Sequence, residues 1–273
     1  MIEKDNLNFY PPPIDCKKSL EKMGLFLEKY LKKAKKKKFV MGLSGGIDSA
    51  VVAGVVCMTV GVDKLLVLKM PYKTSNPQSE KDADLIIRKY GMKSYKVEIS
   101  DIVDSYFEKS CFLESSSDDS FYKVRKGNFM ARIRMAILFD FSAKEDALVL
   151  GTGNKSEILL GYTTWYGDSA SSINPIGNLY KSQVYQLADF IKIPKRIIKK
   201  RPSADLWAKQ TDEKDMGIRY KEADPVLYLI FDKKMGKIET ARILKIQSEK
   251  VDKILERVNK NSFKRKLPPI AKI

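Results

Sequence analysis

One stretch near the start of the chain restricts the fold more than any other part of the sequence. Residues 38–44, KFVMGLS, form an apolar run rich in β-formers, and a helix-length apolar segment, DSAVVAGVVCMTV, follows two glycines at residues 48–60. A continuously apolar strand that leads through glycines into a helix is typical of a parallel sheet covered by helices. Gly61 is expected to end that helix, because glycine readily adopts the conformation found just after a helix.

The alternation of strand and helix continues along the chain. Further strands are predicted at residues 64–70, 93–99 and 146–154, and further helices at residues 78–90 and 128–144. Helical segments dominate from Lys181 onward. The pattern predicts an α/β fold, with a parallel sheet, helices on both faces and a helical C-terminal part. Ligands of such sheets bind beyond the carboxyl ends of the strands.

Neither an internal repeat nor a linker divides the sequence, so a single domain over residues 1–273 is predicted. Residues 1–38 are expected to form an N-terminal helical segment, and residues 239–273 a C-terminal helix with a tail. Residues 114–120, ESSSDDS, are polar and rich in turn formers, which is typical of a mobile loop.

The composition excludes several kinds of chemistry. The chain has no histidine, which rules out imidazole bases, serine–histidine triads and histidine-bound zinc. Cys16, Cys57 and Cys111 are far apart, which favours reduced, buried thiols and a cytoplasmic protein. The formal charge of +17 attracts polyanions without choosing among them. No run approaches the roughly 20 apolar residues that span a bilayer, so no membrane partner is expected.

The glycine loop itself, SGGIDS at residues 44–49, predicts an anion site. Gly45 and Gly46 leave backbone N–H groups free to surround a phosphate at the positive end of the following helix. The lysine of the Walker pattern is missing, and Asp48 and Ser49 stand in its place. A carboxylate beside phosphate needs a cation between them, so Asp48 is interpreted as a magnesium ligand. The alternative is that Asp48 only caps the helix and the glycines make a tight turn.

This loop and seven further stretches resemble a known family. SGGIDS resembles the signature loop of the ATP pyrophosphatases, and over nearly its whole length the chain is similar to the ammonia-dependent NAD synthetases. The stretches that carry the similarity are GLSGGIDSA (42–50), GNFMARIRM (127–135), GTGNKSEILLGY (151–162), YGD (166–168), NPIGNLYKSQVYQLA (174–188), PSADLW (202–207), TDEKDMGIRY (211–220) and FKRKLP (263–268). The resemblance implies one NAD synthetase domain with the fold of the adenine nucleotide alpha hydrolases, N-type ATP pyrophosphatases.

The resemblance also implies a reaction. Members of the family convert deamido-NAD⁺ to NAD⁺ in two steps, with ATP as co-substrate and Mg²⁺ as cofactor. The nicotinate carboxylate first attacks the α-phosphorus of ATP, and ammonia then displaces AMP from the resulting adenylate. Both steps build negative charge on oxygens, which cations and fixed donors stabilise without a histidine. The family works as a homodimer, which is expected here too.

Matching positions imply the residues of the ATP side. Asp48, Glu157 and Lys181 correspond to catalytic residues, and Asp48 and Glu157 among them to the Mg²⁺ ligands. The full ATP-binding set is Gly42, Leu43, Ser44, Gly45, Gly46, Ile47, Asp48, Ser49, Thr152, Lys181 and Ser203. Ser203 stands where threonine is common. Without the resemblance, Glu157 would be interpreted as a solvated first-turn glutamate and Lys181 as an exposed lysine at a helix start.

The resemblance places the dinucleotide side at Arg132, Trp165, Ser172, Phe263 and Lys264. Three of these depart from the common pattern: Trp165 replaces lysine, Ser172 aspartate and Phe263 histidine. The alternative for Trp165 is plain packing among apolar neighbours.

The helix around Gly127 to Phe139 is expected at the two-fold interface, where Arg132 would reach the dinucleotide; a purely intramolecular core helix is the alternative. Arg134 lies two residues further, on the opposite face, so one of these arginines is expected to serve the ligand and the other the structure.

Other functions use the same loop. A tRNA-modifying enzyme would exploit the positive charge, but thiolating members need nucleophilic cysteines, which three scattered ones do not provide. A GMP synthetase would be longer and carry a glutaminase domain. A non-catalytic nucleotide- or RNA-binding module would not need the carboxylates and Lys181. We predict that ammonia is the nitrogen donor, that this chain has no glutaminase domain and that it has no nucleic-acid partner.

Overall fold

The computed structural model describes residues 10–109, 119–203, 205–207 and 210–271. The helices are α1 (Cys16–Ala34), α2 (Ile47–Thr59), α3 (Pro77–Tyr90), α4 (Ser100–Lys109), α5 (Asp119–Lys144), α6 (Lys155–Leu160), α7 (Lys181–Phe190), α8 (Lys195–Ile198), α9 (Asp212–Met216), α10 (Tyr220–Leu227), α11 (Lys237–Leu244) and α12 (Ser248–Lys260). The strands are β1 (Lys38–Gly42), β2 (Leu65–Lys69), β3 (Lys93–Lys96) and β4 (Ala147–Val149). The α/β class predicted from the sequence is confirmed.

The described strands form one parallel sheet in the order β3-β2-β1-β4. In the register, Val40 of β1 lies opposite Leu66 of β2 on one side and Val149 of β4 on the other. All three side chains are buried, since helices cover the sheet.

The two faces of the sheet pack against different helices. Along β1, Phe39 and Met41 join the core that α1, α2 and α7 build on one face. Val40, between them, points to the other face and packs in one cluster with Ile137 and Leu138 of α5. Successive side chains of a strand point to opposite faces, so an uninterrupted apolar run is required for a strand covered on both sides.

The strand order determines where a ligand crevice forms. The chain moves from β1 outward to β2 and β3, and then returns through α5 to place β4 on the other side of β1. At such a reversal, the loops that follow two adjacent strands diverge and leave a crevice beyond their carboxyl ends. Here the loop after β1 leads into the first turn of α2, where Asp48 lies, and the loop after β4 contains Thr152.

A second core supports the helical C-terminal part. Leu160 of α6, Val226 of α10 and Ile254 of α12 are buried together in it. The expected C-terminal helix within residues 239–273 is present as α12, and most of α11 precedes it there. A 3₁₀ turn, Ser262–Arg265, follows α12.

Local signals in the sequence account for several helix ends. Asn76 accepts a hydrogen bond from the Gln78 N–H at the start of α3, and Pro77 is its first residue. Gly91, with a φ of 67°, ends α3 directly after the helix predicted at residues 78–90. In the N-terminal segment, Asp15 caps α1 by accepting from the Lys18 N–H.

The sequence misjudged other boundaries. α5 begins at Asp119 instead of residue 128, because tertiary packing stabilises its first turns. The centre of the Phe107 ring of α4 lies 5.6 Å from the centre of the Tyr122 ring and 5.1 Å from the Arg125 guanidinium carbon. The loop expected at 114–120 therefore ends earlier, and residues 114–118 lie outside the described residues. Strands β3 and β4 are shorter than the predicted runs at 93–99 and 146–154.

Candidate active site

The glycine loop between β1 and α2 is held by its own hydroxyls and by α3. Ser44 Oγ accepts a hydrogen bond from the Gly46 N–H at 3.2 Å, and Ser49 Oγ donates to the Gly46 carbonyl at 3.1 Å. Gly45 has a φ of +74°, and a Cβ there would lie 2.1 Å from the Ser79 carbonyl oxygen. Only glycine satisfies both conditions, so Gly45 allows the loop to pack closely against α3 at the N-terminus of α2.

Asp48, Glu157 and Lys181 meet at one point. The Lys181 ammonium lies 2.6 Å from Asp48 Oδ2 and 3.1 Å from Glu157 Oε1. The lysine side chain is only 1% exposed, against 18% for Asp48 and 16% for Glu157. The alternatives of an exposed lysine and a solvated glutamate are therefore wrong, and the three groups form one buried charged cluster.

Each of the three side chains starts from a helix N-terminus. Asp48 lies in the first turn of α2, Glu157 in the first turn of α6, and Lys181 is the first residue of α7. Asn154 joins two of these starts: its side chain caps α6 by accepting from the Glu157 N–H and donates to Asp48 Oδ1 at 2.9 Å. The starts of α2, α6 and α7 thus bring the three side chains together.

The electrostatics of the cluster favour a charged lysine. Burial by itself lowers the pKa of Lys181, but the nearby carboxylates, Asp48 first among them, outweigh burial and raise it. Burial raises the pKa of Glu157, and the Lys181 ammonium opposes that rise. Lys181 therefore remains a cation beside the glycine loop, paired with the carboxylates of Asp48 and Glu157.

Two further residues of this cluster escaped the sequence reasoning. The Tyr220 hydroxyl lies 3.4 Å from Glu157 Oε1 and 3.2 Å from Asp212 Oδ2, and both Tyr220 and Asp212 are buried. The stretch 211–220 contributed to the family resemblance, but no role was assigned to a residue within it. Beside Asp212, a cavity of about 390 Å³ is lined by Arg201, Pro202, Thr211, Glu213 and Lys214.

The remaining residues predicted for ATP frame the cluster. Thr152 is half-buried in the loop between β4 and α6, two residues before Asn154. Ser203 Oγ accepts a hydrogen bond from the Asp205 N–H at 3.1 Å. The Asp205 carboxylate in turn accepts from the Asn76 N–H, which connects this segment to the loop before α3.

Four of the five residues predicted for the dinucleotide form a rim. The Arg132 guanidinium donates to the Trp165 carbonyl at 3.2 and 3.3 Å. The Trp165 ring meets the Phe263 ring edge-on at 5.2 Å and stacks on Tyr166 at 4.5 Å. Lys264 donates to the carbonyls of residues 161 and 163, so the C-terminal tail is bound to the loop that carries Trp165.

Ser172, the fifth, has a structural contact. Its hydroxyl accepts a hydrogen bond from the Val149 N–H at 3.0 Å, at the end of β4. Arg134 is also structural: its Nε donates to the Met70 carbonyl at 2.9 Å, and burial lowers the pKa of its guanidinium to about 10. Arg132, by contrast, is exposed, and its expected role at the ligand stays a prediction.

The described cysteines lie in packing positions. Cys16 and Cys57 are free thiols, half-buried against the core of α1, α2 and α7. Burial raises the pKa of Cys57 to about 11, and burial followed by the charge of Asp15 raises that of Cys16. Both thiols are therefore poor nucleophiles at neutral pH. Cys111 lies outside the described residues.

Comparison with known proteins decides the family. The profile described as NAD synthase matches residues 19–268 of this chain. The chain belongs to the NAD synthase family. Its glycine loop, the Asp48–Lys181–Glu157 cluster and the aromatic rim all lie within the matched residues.

Relatives within the NAD synthase family share most of the sequence. The NH₃-dependent NAD⁺ synthetase of Fusobacterium nucleatum is 46% identical over 248 residues, which cover 91% of this chain and 93% of that protein. The interpretation of the sequence as an ammonia-dependent NAD synthetase, a ligase, is confirmed.

Two solved structures resemble this chain in fold. The NMN synthetase from Francisella tularensis has a TM-score of 0.82 at 30% identity, and the NH₃-dependent NAD synthetase from Campylobacter jejuni a TM-score of 0.78 at 33% identity. Each match covers 95% of this chain and 100% of the other. In the part of this chain that the structure describes, we find no helix with the length and apolar character needed to cross a membrane.

Proposed function

We propose that this chain amidates deamido-NAD⁺ with ammonia in the cytoplasm and consumes ATP in doing so. The site described above would catalyse both adenylation and amidation. The observation that supports these roles most directly is the convergence of Asp48, Glu157 and Lys181 beside the glycine loop. Asp48 follows β1 and Glu157 follows β4, two adjacent strands of the sheet, in a member of the NAD synthase family.

In the first step the nicotinate carboxylate attacks the α-phosphorus of ATP, an O–P bond forms, and pyrophosphate leaves. The glycine loop binds the departing pyrophosphate at the start of α2, where the Gly46 N–H exchanges its bond to Ser44 Oγ for one to a phosphate oxygen. Lys181 neutralises charge on the phosphate oxygens, and Thr152 and Ser203 contact the nucleotide. The protein promotes this step by positioning the two substrates and by placing fixed charges beside the phosphates, and no proton transfer from the protein is needed.

In the second step ammonia attacks the carbonyl carbon of the adenylate. A C–N bond forms, the C–O bond to AMP breaks, and the nitrogen loses one proton. AMP is a good leaving group, so the protein needs to orient the two reactants and exclude water. The rim of Trp165, Phe263 and Arg132 holds the dinucleotide during both steps, with Trp165 stacking on a ring of the ligand.

Asp48 and Glu157 are proposed to hold a magnesium ion. Their carboxylates lie close together, since the Lys181 ammonium contacts both. Among the described residues no third acidic or thiol side chain completes a metal cluster. Mg²⁺ is usually held by one or two carboxylates with substrate phosphates and water, so the residues present fit an ion that binds with ATP. When bound, this ion neutralises charge on the phosphates.

We further propose a homodimer with α5 at the interface. Phe121 and Phe139 are 18 residues apart, which is five helical turns, and Val124 lies three residues after Phe121, so all three lie on one side of α5. They are 59%, 38% and 47% exposed, respectively. Arg132 lies 11 residues after Phe121, about three turns further along the same face. Burying this face against a second copy would place Arg132 at the boundary between two sites.

Sedimentation tests the dimer. We expect the wild-type chain to sediment as a dimer and Phe139→Glu to sediment as a monomer with amidation lowered at least about tenfold, because a charge would lie in the apolar interface. Ile238→Glu is the control, since Ile238 is 71% exposed on α11, away from that face. A wild-type monomer that is fully active at nanomolar concentration would disprove the dimer.

The nitrogen donor and the acceptor are tested in one assay. With ATP, magnesium and deamido-NAD⁺, we expect ammonium salts to support NAD⁺ formation and glutamine freed of ammonia to give negligible product. Glutamine use needs an activated cysteine nucleophile, and the described thiols have raised pKa values. Efficient synthesis from glutamine by the pure chain would contradict this prediction. Pyrophosphate release with tRNA or xanthosine monophosphate in place of deamido-NAD⁺ would instead support a related enzyme.

A shorter acceptor is the second candidate. The similarity to the Francisella NMN synthetase, whose name implies a mononucleotide product, supports it. Nicotinate mononucleotide should therefore be compared with deamido-NAD⁺ in the same assay. We expect the dinucleotide to have the higher kcat/KM, since the rim at Trp165 offers a second ring-binding surface; a preference for the mononucleotide would favour the second candidate.

A further inference from the structure

Tyr220 contacts Lys181 and Glu157 of the charged cluster. It belongs to α10, in which no site residue was predicted. Its ring lies 5.1 Å from the Lys181 ammonium, and its hydroxyl lies 3.4 Å from Glu157 Oε1. The side chain is 5% exposed, so these contacts are shielded from water. A cation over a buried aromatic face and a hydroxyl beside a buried carboxylate are both stronger than the same contacts in solvent.

Hydrogen bonds at both its backbone and its side chain hold Tyr220 in place. It is the first residue of α10, and its backbone N–H donates to Glu213 Oε1 at 3.0 Å, which joins the start of α10 to α9. Its hydroxyl also lies 3.2 Å from Asp212 Oδ2, on the first residue of α9. A hydroxyl has a single hydrogen, so Glu157 and Asp212 share one donor. The α9–α10 corner is thus tied to the cluster through this one side chain.

From this geometry we propose that Tyr220 is a positioning residue for adenylation, with two separable contributions. The hydroxyl holds the Glu157 carboxylate in its working orientation, and the ring holds the Lys181 ammonium where phosphate binds. The inference rests on the proposed function, because it gives Tyr220 a role through residues to which that proposal assigns the chemistry. Tyr220 itself does not contact the reacting atoms.

Two substitutions separate the contributions. Tyr220→Phe keeps the ring and removes the hydroxyl, so we expect kcat to fall about tenfold, the size of one hydrogen bond to a charged group, with the KM for ATP within about twofold of wild type. Tyr220→Leu removes the ring as well, so the KM for ATP should also rise about tenfold. ATP affinity measured by calorimetry, which needs no turnover, should weaken in Tyr220→Leu and not in Tyr220→Phe.

Tyr90→Phe is the matched control. Tyr90 donates its hydroxyl to the Ile191 carbonyl at 3.4 Å, at the opposite end of α7 from Lys181, so its loss should change neither kcat nor KM. Rates are normalised to the folded fraction from thermal melting. The proposal is overturned if Tyr220→Phe retains wild-type kcat, if Tyr90→Phe loses as much, or if Tyr220→Leu binds ATP normally. A wild-type chain that makes no NAD⁺ would refute the proposed function, whereas the calorimetric comparison would still decide the role of the ring.

Discussion

Asp48→Asn is expected to lower the rate of adenylation by about 100- to 1,000-fold while the chain stays folded. The substitution keeps the shape of the side chain and removes the charge that faces Lys181 at 2.6 Å. Glu157→Gln should have an effect of similar size, since it removes the second charge and retains an oxygen to accept from the Asn154 N–H. Pyrophosphate release and circular-dichroism melting, measured on the same preparations, check both outcomes.

Asp104→Asn is the control for these two variants. Asp104 is 16% exposed, as Glu157 is, and it pairs with Lys126 at 3.2 Å on the α4–α5 side of the sheet. Its substitution removes a comparable ion pair without touching the cluster, so adenylation should remain near the wild-type rate. Near-normal turnover in Asp48→Asn or Glu157→Gln would show that the proposed magnesium ligands are assigned wrongly.

Lys181→Met should affect both activity and stability. The methionine leaves the carboxylates of Asp48 and Glu157 buried side by side without a cation, which costs about 3–5 kcal/mol of unfolding free energy. Adenylation should also fall by about 100- to 1,000-fold, because the charge that balances phosphate is gone. Chemical denaturation measures the first effect, and pyrophosphate release measures the second.

Two companion variants make the Lys181 result interpretable. Lys155→Met breaks the pair with Asp232 at 2.6 Å, which is partly exposed to solvent, so its cost should stay within about 1 kcal/mol. Lys181→Arg keeps the positive charge and should fold, yet remain at least about tenfold less active, since a planar guanidinium does not fit the space of an ammonium. If Lys181→Met adenylates normally, Lys181 has no part in the reaction; if Lys181→Arg does, a positive charge at this position is sufficient and the shape of the ammonium is not required.

The parallel sheet could be predicted because its signal is local. The apolar run that contains Phe39, Val40 and Met41 is buried on both faces, and such a run followed by glycines and an apolar helix has few other solutions. The predicted end of the helix at residue 90 agrees with α3 for a similar local reason: the next residue, Gly91, adopts the left-handed conformation that glycine favours. Element boundaries that depend on packing, such as the first turns of α5, were missed.

Part of the site could also be predicted from residue types. Gly45 and Asp48 lie in one short loop, and the chemistry of a carboxylate next to a phosphate site points to a cation. The resemblance to a family added Glu157 and Lys181, which are far apart in the chain. Periodicity and composition alone would have left Lys181 as an exposed lysine at a helix start, because nothing adjacent in the sequence indicates that its ammonium is buried.

The sequence by itself determined the sheet, the anion-binding loop and the kinds of chemistry that a chain without histidine can perform, since each depends on neighbouring residues or on composition. Only the tertiary structure decided that the Lys181 ammonium lies between Asp48 and Glu157, that Tyr220 joins them, and that Arg134 supports a backbone carbonyl while Arg132 lies on the exposed rim. These contacts join segments separated by 24 to 133 residues. Their energy comes from burial and mutual charge, which no local pattern of residues records.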